Sequence, residues 1–416
     1  MSDAIMRMVP VVIFFVVLMG MGFWIQKRSA DAAAKDFSNE YFIGGRSLGG
    51  FVLAMTLVAT YSSVSSFLSG AGKAWETGFG WVYYATSQIV AAFLVLGVLG
   101  KKMAVIGRKT QAVTVIDVLR ARYKSNLLAN ICALVILVFF TTSMLSQFIG
   151  GAQLFSQCTG VSYVAGLIIF SVVVILYTTV GGFNAVAITD TACAIVMIIG
   201  TILLTISVIH NGGGISNIMA NINDASVQAV ASGEGYNLLD PRASGGIPFQ
   251  LYLTQWMLCG ITTVGLPQSQ VRCLGYKDTK SVHRAMIYGT IVVGFMMIGI
   301  HLVGTLSRGV LTSIDGSTDT LIPIVIVKYM MPILGGVTII GPLAATMSTI
   351  SSLLIAGSSA IVKDMYLHYK EEKHEEINQK FVAKISFAVT AVMGIAAVVM
   401  AINPPDLIVW INMFAF

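Results

Sequence analysis

The stretch AATMSTISS at 344–352 carries hydroxyls on Thr346, Ser348, Thr349, Ser351 and Ser352. It lies inside an apolar run from about Ile333 to Val362 that holds no charged residue. Roughly 20 apolar residues in a helix cross the hydrocarbon core of a bilayer, so hydroxyls at mid-depth need a reason. One reason is packing. Ser and Thr in such helices bond back to carbonyls three or four residues earlier, and their small size lets helices approach closely. The other reason is a cation. Ala345, Ser348 and Thr349 stand at i, i+3 and i+4, on one face of a helix. A carbonyl and two hydroxyls there converge on one point, and two carbonyls from an unwound second helix would complete a shell of neutral oxygens suited to Na+. Spacing alone leaves both readings open.

The rest of the chain agrees with a membrane setting. Of its 416 residues 56% are hydrophobic and 11% charged, with a mean hydropathy of +0.83. Soluble domains hold about 25% charged residues. The reading is an all-α polytopic membrane protein whose main partner is the lipid bilayer. The expected spans are 4–26, 47–71, 79–100, 113–153, 161–180, 184–210, 246–271, 284–307, 332–362 and 382–402. A last segment after Pro404-Pro405, DLIVWINMFAF, is too short to span, which predicts a chain truncated at its C-terminus.

The first span is not read as a signal peptide, because Lys27 and Arg28 follow its apolar core and no cleavage site is evident. Twenty of the 25 Lys and Arg fall in 27–49, 101–126, 272–284 and 363–384. Arg7, Lys73, Arg242, Arg308 and Lys328 are the remainder. This asymmetry places those four loops inside the cell and the N-terminus outside. The net charge of +6 therefore reflects topology, and no nucleic-acid partner is expected. The loop at 211–245 reads as irregular surface and the charge run at 363–384 as a solvated loop. Residues 114–123 read as the foot of the fourth span, lying along the inner surface.

Two spans are polar at mid-depth: 47–71 with ATYSSVSS at 59–66, and 246–271 with GITTVGLPQSQ at 260–270. Each opens a set of five helices of opposite orientation, the pattern of inverted-repeat transporters with broken first helices. Gly260, Gly265 and Pro267 write a break into the later one. Between Gly50 and Gly70 there is neither Gly nor Pro, so the earlier break is not legible. Only one carboxylate, Asp190, falls well inside a span, near the inner end of 184–210. It reads either as wetted from the cytoplasm or as a way-station on a cation exit path. Five scattered cysteines and five histidines show no metal or redox spacing, and an enzyme is not expected. No filter loop or charged ring suggests a channel, and no appended soluble domain suggests a sensor.

Three motifs carry a family resemblance. YTTVGGFNAVAITD at 177–190 resembles the signature of the sodium:solute symporters. NEYFIGGRSLGGFVLAMTLVATYSSVSSF at 39–67 is similar to their second helix. AATMST, followed by Ser358-Ser359 and KDMY, is similar to their ninth. The resemblance implies a LeuT-like five-plus-five inverted-repeat transporter with an extra first helix at 4–26. The repeats would occupy 47–210 and 246–416, the second incomplete, within a single domain spanning 1–416.

The resemblance also implies a Na+ site formed by Ala59, Ser62, Ala345, Ser348 and Thr349, with Asp190 on the ion exit path. The runs at 266–294 and 147–154 are similar to the bacterial members that carry pantothenate, which implies Na+-driven pantothenate uptake across the inner (cytoplasmic) membrane. Another small monocarboxylate is the alternative substrate. Proline-transporting members have an Asp where this chain has Tyr61, which argues against proline. No Arg or Lys lies between Lys124 and Gly160 to meet a substrate carboxylate. Freed N–H groups and hydroxyls around Thr60, Ser63, Ser65 and Ser66 are expected to hold it, with Gln147 and Gln268 reaching the amide or hydroxyls. No obligate protein partner is evident.

Overall fold

The computed structural model describes residues 2–233, 235–243 and 246–403. The expected segment after Pro404 lies outside these residues. The described chain is helical, apart from one isolated bridge between Leu48 and Tyr276. Its helices are α1 (Asp3–Lys35), α2 (Phe37–Ile43), α3 (Gly50–Tyr61), α4 (Ser66–Thr77), α5 (Phe79–Thr110), α6 (Val115–Tyr123), α7 (Asn126–Thr159) and α8 (Tyr163–Asn211). Then follow α9 (Ile215–Ser232), α10 (Phe249–Gln255), α11 (Pro267–Leu274), α12 (Thr279–Ser307), α13 (Leu321–Tyr329), α14 (Pro332–Glu372) and α15 (Gln379–Ala401).

Seven of these helices are long and apolar enough to cross a bilayer, and α3 with α4 forms an eighth, bent span. Ten spans were expected. The difference has two sources. The expected spans 161–180 and 184–210 are both present but are counted once within α8, whose 49 residues would extend about 73 Å if straight. Gly182, at φ 62° and ψ −167°, instead turns the chain there, with the Tyr41 ring against the place a side chain would fill. The expected span 246–271 is a series of short pieces, described below.

On α1, Val12, Ile13, Val16 and Val17 are exposed while Val11, Phe14, Phe15 and Leu18 are buried. That is the pattern of a helix between lipid and protein. By contrast, the middle of α14, from Thr338 to Ser359, is buried on all sides, so the hydroxyl-rich stretch lies at the centre of the molecule. Where α14 crosses α8, Gly341 and Gly200 bring the backbones together, and a Cβ on Gly341 would sit 3.3 Å from the Gly200 Cα.

The four basic segments meet at one end. Arg46 donates to the carbonyls of Leu274 at 3.2 Å and Ala112 at 2.8 Å. Thr114 donates to Asp364 at 2.5 Å and Arg120 to the Asp364 carbonyl at 2.7 Å. The Phe37 N–H reaches Gln379. At the opposite end the Phe79 N–H donates to the Leu238 carbonyl and Trp75 to that of Leu311.

Several expectations need correction. Residues 211–245 are not irregular throughout. They contain α9, whose Ile218 and Ile222 are buried four residues apart, with Asn221 tied to the Gly309 carbonyl. Residues 115–123 form the separate helix α6, closed at its start by a reciprocal cap between Thr114 and Asp117 and ended at Lys124 with φ 51°. Part of the 363–384 loop is helical, because α14 continues to Glu372 and its Asp364 is buried, although the charge run at 370–376 stays at the surface with pairs such as Lys370–Glu375 at 2.9 Å. At the start of α12, Asp278 accepts the Ser281 N–H at 2.7 Å, and that bond holds its carboxyl below the usual carboxylate range.

Candidate cation and substrate site

The helix that begins at Gly50 breaks without Gly or Pro. It ends at Tyr61, Ser62 is extended at ψ 96°, and α4 leaves at 66° to α3. Broken backbone in a membrane interior must be satisfied by other groups. Here side chains of α7 and α14 supply them. Gln147 Oε1 accepts the Val64 N–H at 3.2 Å. Ser348 Oγ lies 2.9 Å from the Ala59 carbonyl oxygen, and Thr349 Oγ1 lies 3.3 Å from that of Thr60. The break is a tertiary feature, built by partners distant in sequence.

Both readings of AATMSTISS meet in the same atoms. Ser348 Oγ is 2.8 Å from the Ala344 carbonyl and 3.1 Å from that of Ala345, and Thr349 Oγ1 is 2.9 Å from that of Ala345. These are the back-bonds expected of packing. The same hydroxyls reach across to α3. Ser348 carries one proton, yet three carbonyl oxygens lie within 3.1 Å of its oxygen. Such a pocket has more acceptors than protons to share, and a small cation would use that surplus. Of the five expected ligands, Ala59, Ala345, Ser348 and Thr349 are thus brought together. Ser62 stands at the break itself, buried, with its hydroxyl lacking a partner among the described residues.

The second broken helix faces the first. After α10 come a wide turn at Trp256–Ile261 and a tight one at Thr262–Gly265. Leu266 is extended, as a residue before proline prefers, and Pro267 opens α11. Tyr61 bridges the two breaks by donating to the Cys259 carbonyl at 2.8 Å. Between them lies a cavity lined by Thr60, Ser63, Ser65, Ser66, Gln147 and Gln268, all six expected substrate residues, and by Thr349 of the cation cluster. Tyr61, Trp81, Gln88, Ser269 and His301 line it as well.

The six are not equivalent. Ser65 Oγ and Gln268 Oε1 are buried without a hydrogen-bond partner among the described residues, so they are unpaired polar atoms on residues that line the cavity. Trp81 Nε1, which the sequence reading missed, is in the same condition. The Gln147 carbonyl oxygen is already engaged by Val64. The Thr60 hydroxyl is engaged by Ser352 at 2.9 Å and by Arg272.

Directly beneath the cavity sits a buried ion pair. Asp190 on α8 is fully buried, which removes the reading of a residue wetted from the cytoplasm. Arg272 Nη2 lies 3.0 Å from its Oδ2, with the two side chains 1% and 0% exposed. Arg272 was expected in a loop at 272–284, whereas it occupies the last turns of α11. It also donates to Thr56 at 3.1 Å, to Ser352 at 2.6 Å and to the Gln268 carbonyl at 2.5 Å. Thr56 donates to Asp190 at 2.7 Å. One guanidinium thus joins α3, α8, α11 and α14. Among the described residues no cluster of His, Cys, Asp or Glu could hold a metal ion.

The profile of the sodium:solute symporter family matches residues 41–416. The chain belongs to this family. The sodium/pantothenate symporter of Escherichia coli is 40% identical over 98% of this chain and 81% of its own length. That of Haemophilus influenzae is 41% identical over 92% and 76%. A sodium/proline symporter of Staphylococcus aureus is 28% identical over 96% and 76%. Among solved structures, a Na+-coupled sialic acid symporter in a substrate-bound outward-open state superposes with a TM-score of 0.79 at 20% identity, covering 95% of this chain and 80% of that one. MhsT, in complex with L-phenylalanine, gives 0.56 at 15% identity, covering 88% and 84%. The fold is therefore that of the LeuT-like transporters. As a sodium:solute symporter the chain is a multi-pass membrane transporter coupled to Na+, and not an enzyme.

Proposed function

We propose that this chain carries pantothenate into a bacterial cell with Na+, using the cavity between the two broken helices. The observation that carries this reading is the placement of the cation cluster and the cavity on one break, with Thr349 belonging to both. The 40% and 41% identities to two sodium/pantothenate symporters support the substrate. The Na+ ligands are the carbonyls of Ala59, Ser62 and Ala345 and the hydroxyls of Ser348 and Thr349. Na+ there ties α3 to α14 and completes the wall of the cavity, which favours the state able to take substrate. The repeats occupy 47–210 and 246–416. The end that gathers the four basic segments faces the cytoplasm, and the N-terminus lies outside, in the inner membrane.

Asp190 serves the exit path. In the conformation described, Arg272 already matches its charge, so it offers nothing to a second resident cation. When the cavity opens inward the pair separates and Asp190 meets the departing Na+. With this single site, one Na+ moves with one monovalent anion and the cycle carries no net charge.

The test is uptake of labelled pantothenate into proteoliposomes. An inward Na+ gradient drives accumulation and an equal K+ gradient does not. An imposed membrane potential, worth about 2.3 kcal/mol per charge per 100 mV, leaves the final accumulation ratio unchanged. In Thr349→Ala the Na+ concentration for half-maximal uptake rises about tenfold, as loss of one ligand worth about 1.4 kcal/mol would give. Equal uptake in Na+ and K+ would overturn symport. Accumulation that grows with potential would overturn the one-to-one ratio.

A further inference from the structure

His301 on α12 has no part in the reading above, yet it lines the cavity while only 2% exposed. Its Nδ1 lies 2.6 Å from the Met297 carbonyl oxygen. A carbonyl can only accept, so Nδ1 carries the proton. No carboxylate is within ion-pair distance of the ring among the described residues, and the ring stands as the neutral tautomer. Its Nε2 is then a hydrogen-bond acceptor. No described residue donates to Nε2. Gly70 of α4 faces it, and an added Cβ there would lie 2.5 Å from Nε2. The absence of a side chain at Gly70 is what leaves room for the ring.

Two further atoms belong to residues that line the same cavity. Trp81 Nε1 is a donor and Ser65 Oγ can be either donor or acceptor, and both lack partners among the described residues. An acceptor and a donor without partners match a group that both donates and accepts, which is a hydroxyl.

We propose that His301 reads the hydroxyl-bearing end of the substrate: a substrate O–H donates to Nε2, and Trp81 Nε1 can donate to the same oxygen. The substrate then lies with its carboxylate toward Thr60 and the Na+ ligand Thr349 and its hydroxyls toward α12. A buried acceptor left without its donor discriminates strongly against analogues lacking the hydroxyl. This inference rests on pantothenate being the substrate.

The experiment is equilibrium binding in Na+ of pantothenate and of two analogues, each lacking one of its hydroxyls. It uses the wild type, His301→Asn and His301→Gln. Asn keeps an amide donor for Met297 but has no atom at the Nε2 position, whereas Gln places an amide oxygen near it. The wild type binds one of the analogues about tenfold more weakly than pantothenate. His301→Asn binds pantothenate about tenfold more weakly and no longer distinguishes it from that analogue. His301→Gln keeps most of the discrimination. A wild type that binds all three ligands alike overturns the proposal without any variant. So does a His301→Asn protein that weakens all three by the same factor, since that marks a structural role. A wild type that binds none of them refutes the pantothenate reading itself.

Discussion

Arg272 and Asp190 are opposite charges 3.0 Å apart with almost no exposure. Removing one partner of such a pair strands the other and costs about 3–5 kcal/mol, whereas removing both costs much less. Arg272→Ala and Asp190→Ala should each lower the unfolding midpoint of the purified transporter markedly. The double variant should lose less than the sum of the two. Strict additivity in thermal unfolding would show that the charges do not act as a pair. Arg272→Lys should also fall short, because a single ammonium cannot hold Asp190, Ser352, Thr56 and the Gln268 carbonyl together. Asp190 was legible in the sequence as an acid inside an apolar span. Arg272 was not, since it is the first basic residue after such a span and reads naturally as part of the loop with Lys277, Lys280 and Arg284. The hydroxyls of Thr56 and Thr60, four apart on α3, and of Ser352 on α14 were the only trace of the buried charge they surround.

At the scale of elements, the two broken helices differ in what writes the break. Around α11, Gly260, Gly265 and Pro267 put it into the local sequence, and the structure follows. Between α3 and α4 nothing local requires it. The freed groups are satisfied by Gln147, Ser348 and Thr349 from other helices, so only the serine run hinted at it. Gln147 was read as a substrate residue, and it caps the start of α4 as well as lining the cavity. Gln147→Leu leaves the Val64 N–H without a partner, at a cost of about 1–3 kcal/mol. Amide hydrogen exchange over residues 62–67 should therefore quicken in that variant while exchange in α8 stays unchanged. Unaltered exchange at the break would mean that Gln147 does not hold it open. Helix α9 was missed for a simpler reason. Its flanking glycines and polar residues outweighed the buried spacing of Ile218 and Ile222.

For the whole molecule, charge placement and hydropathy were enough to find the spans and to group the four basic loops at one end, where Arg46, Arg120 and Asp364 join them. They also separated 161–180 from 184–210, two helices that meet at the turn on Gly182. They could not show which hydroxyls face each other, which depends on how α14 lies against α3. That contact is the centre of the account: Na+ and substrate share one break, so each must strengthen binding of the other by the same factor. The most direct measurement is equilibrium binding of labelled pantothenate to the purified protein as Na+ replaces K+ at constant ionic strength, repeated for Na+ binding with and without pantothenate. The account predicts that pantothenate affinity rises with Na+, that Na+ affinity rises with pantothenate to the same extent, and that Ser348→Ala with Thr349→Ala flattens both curves. Pantothenate affinity that is independent of Na+ in the wild type would contradict it.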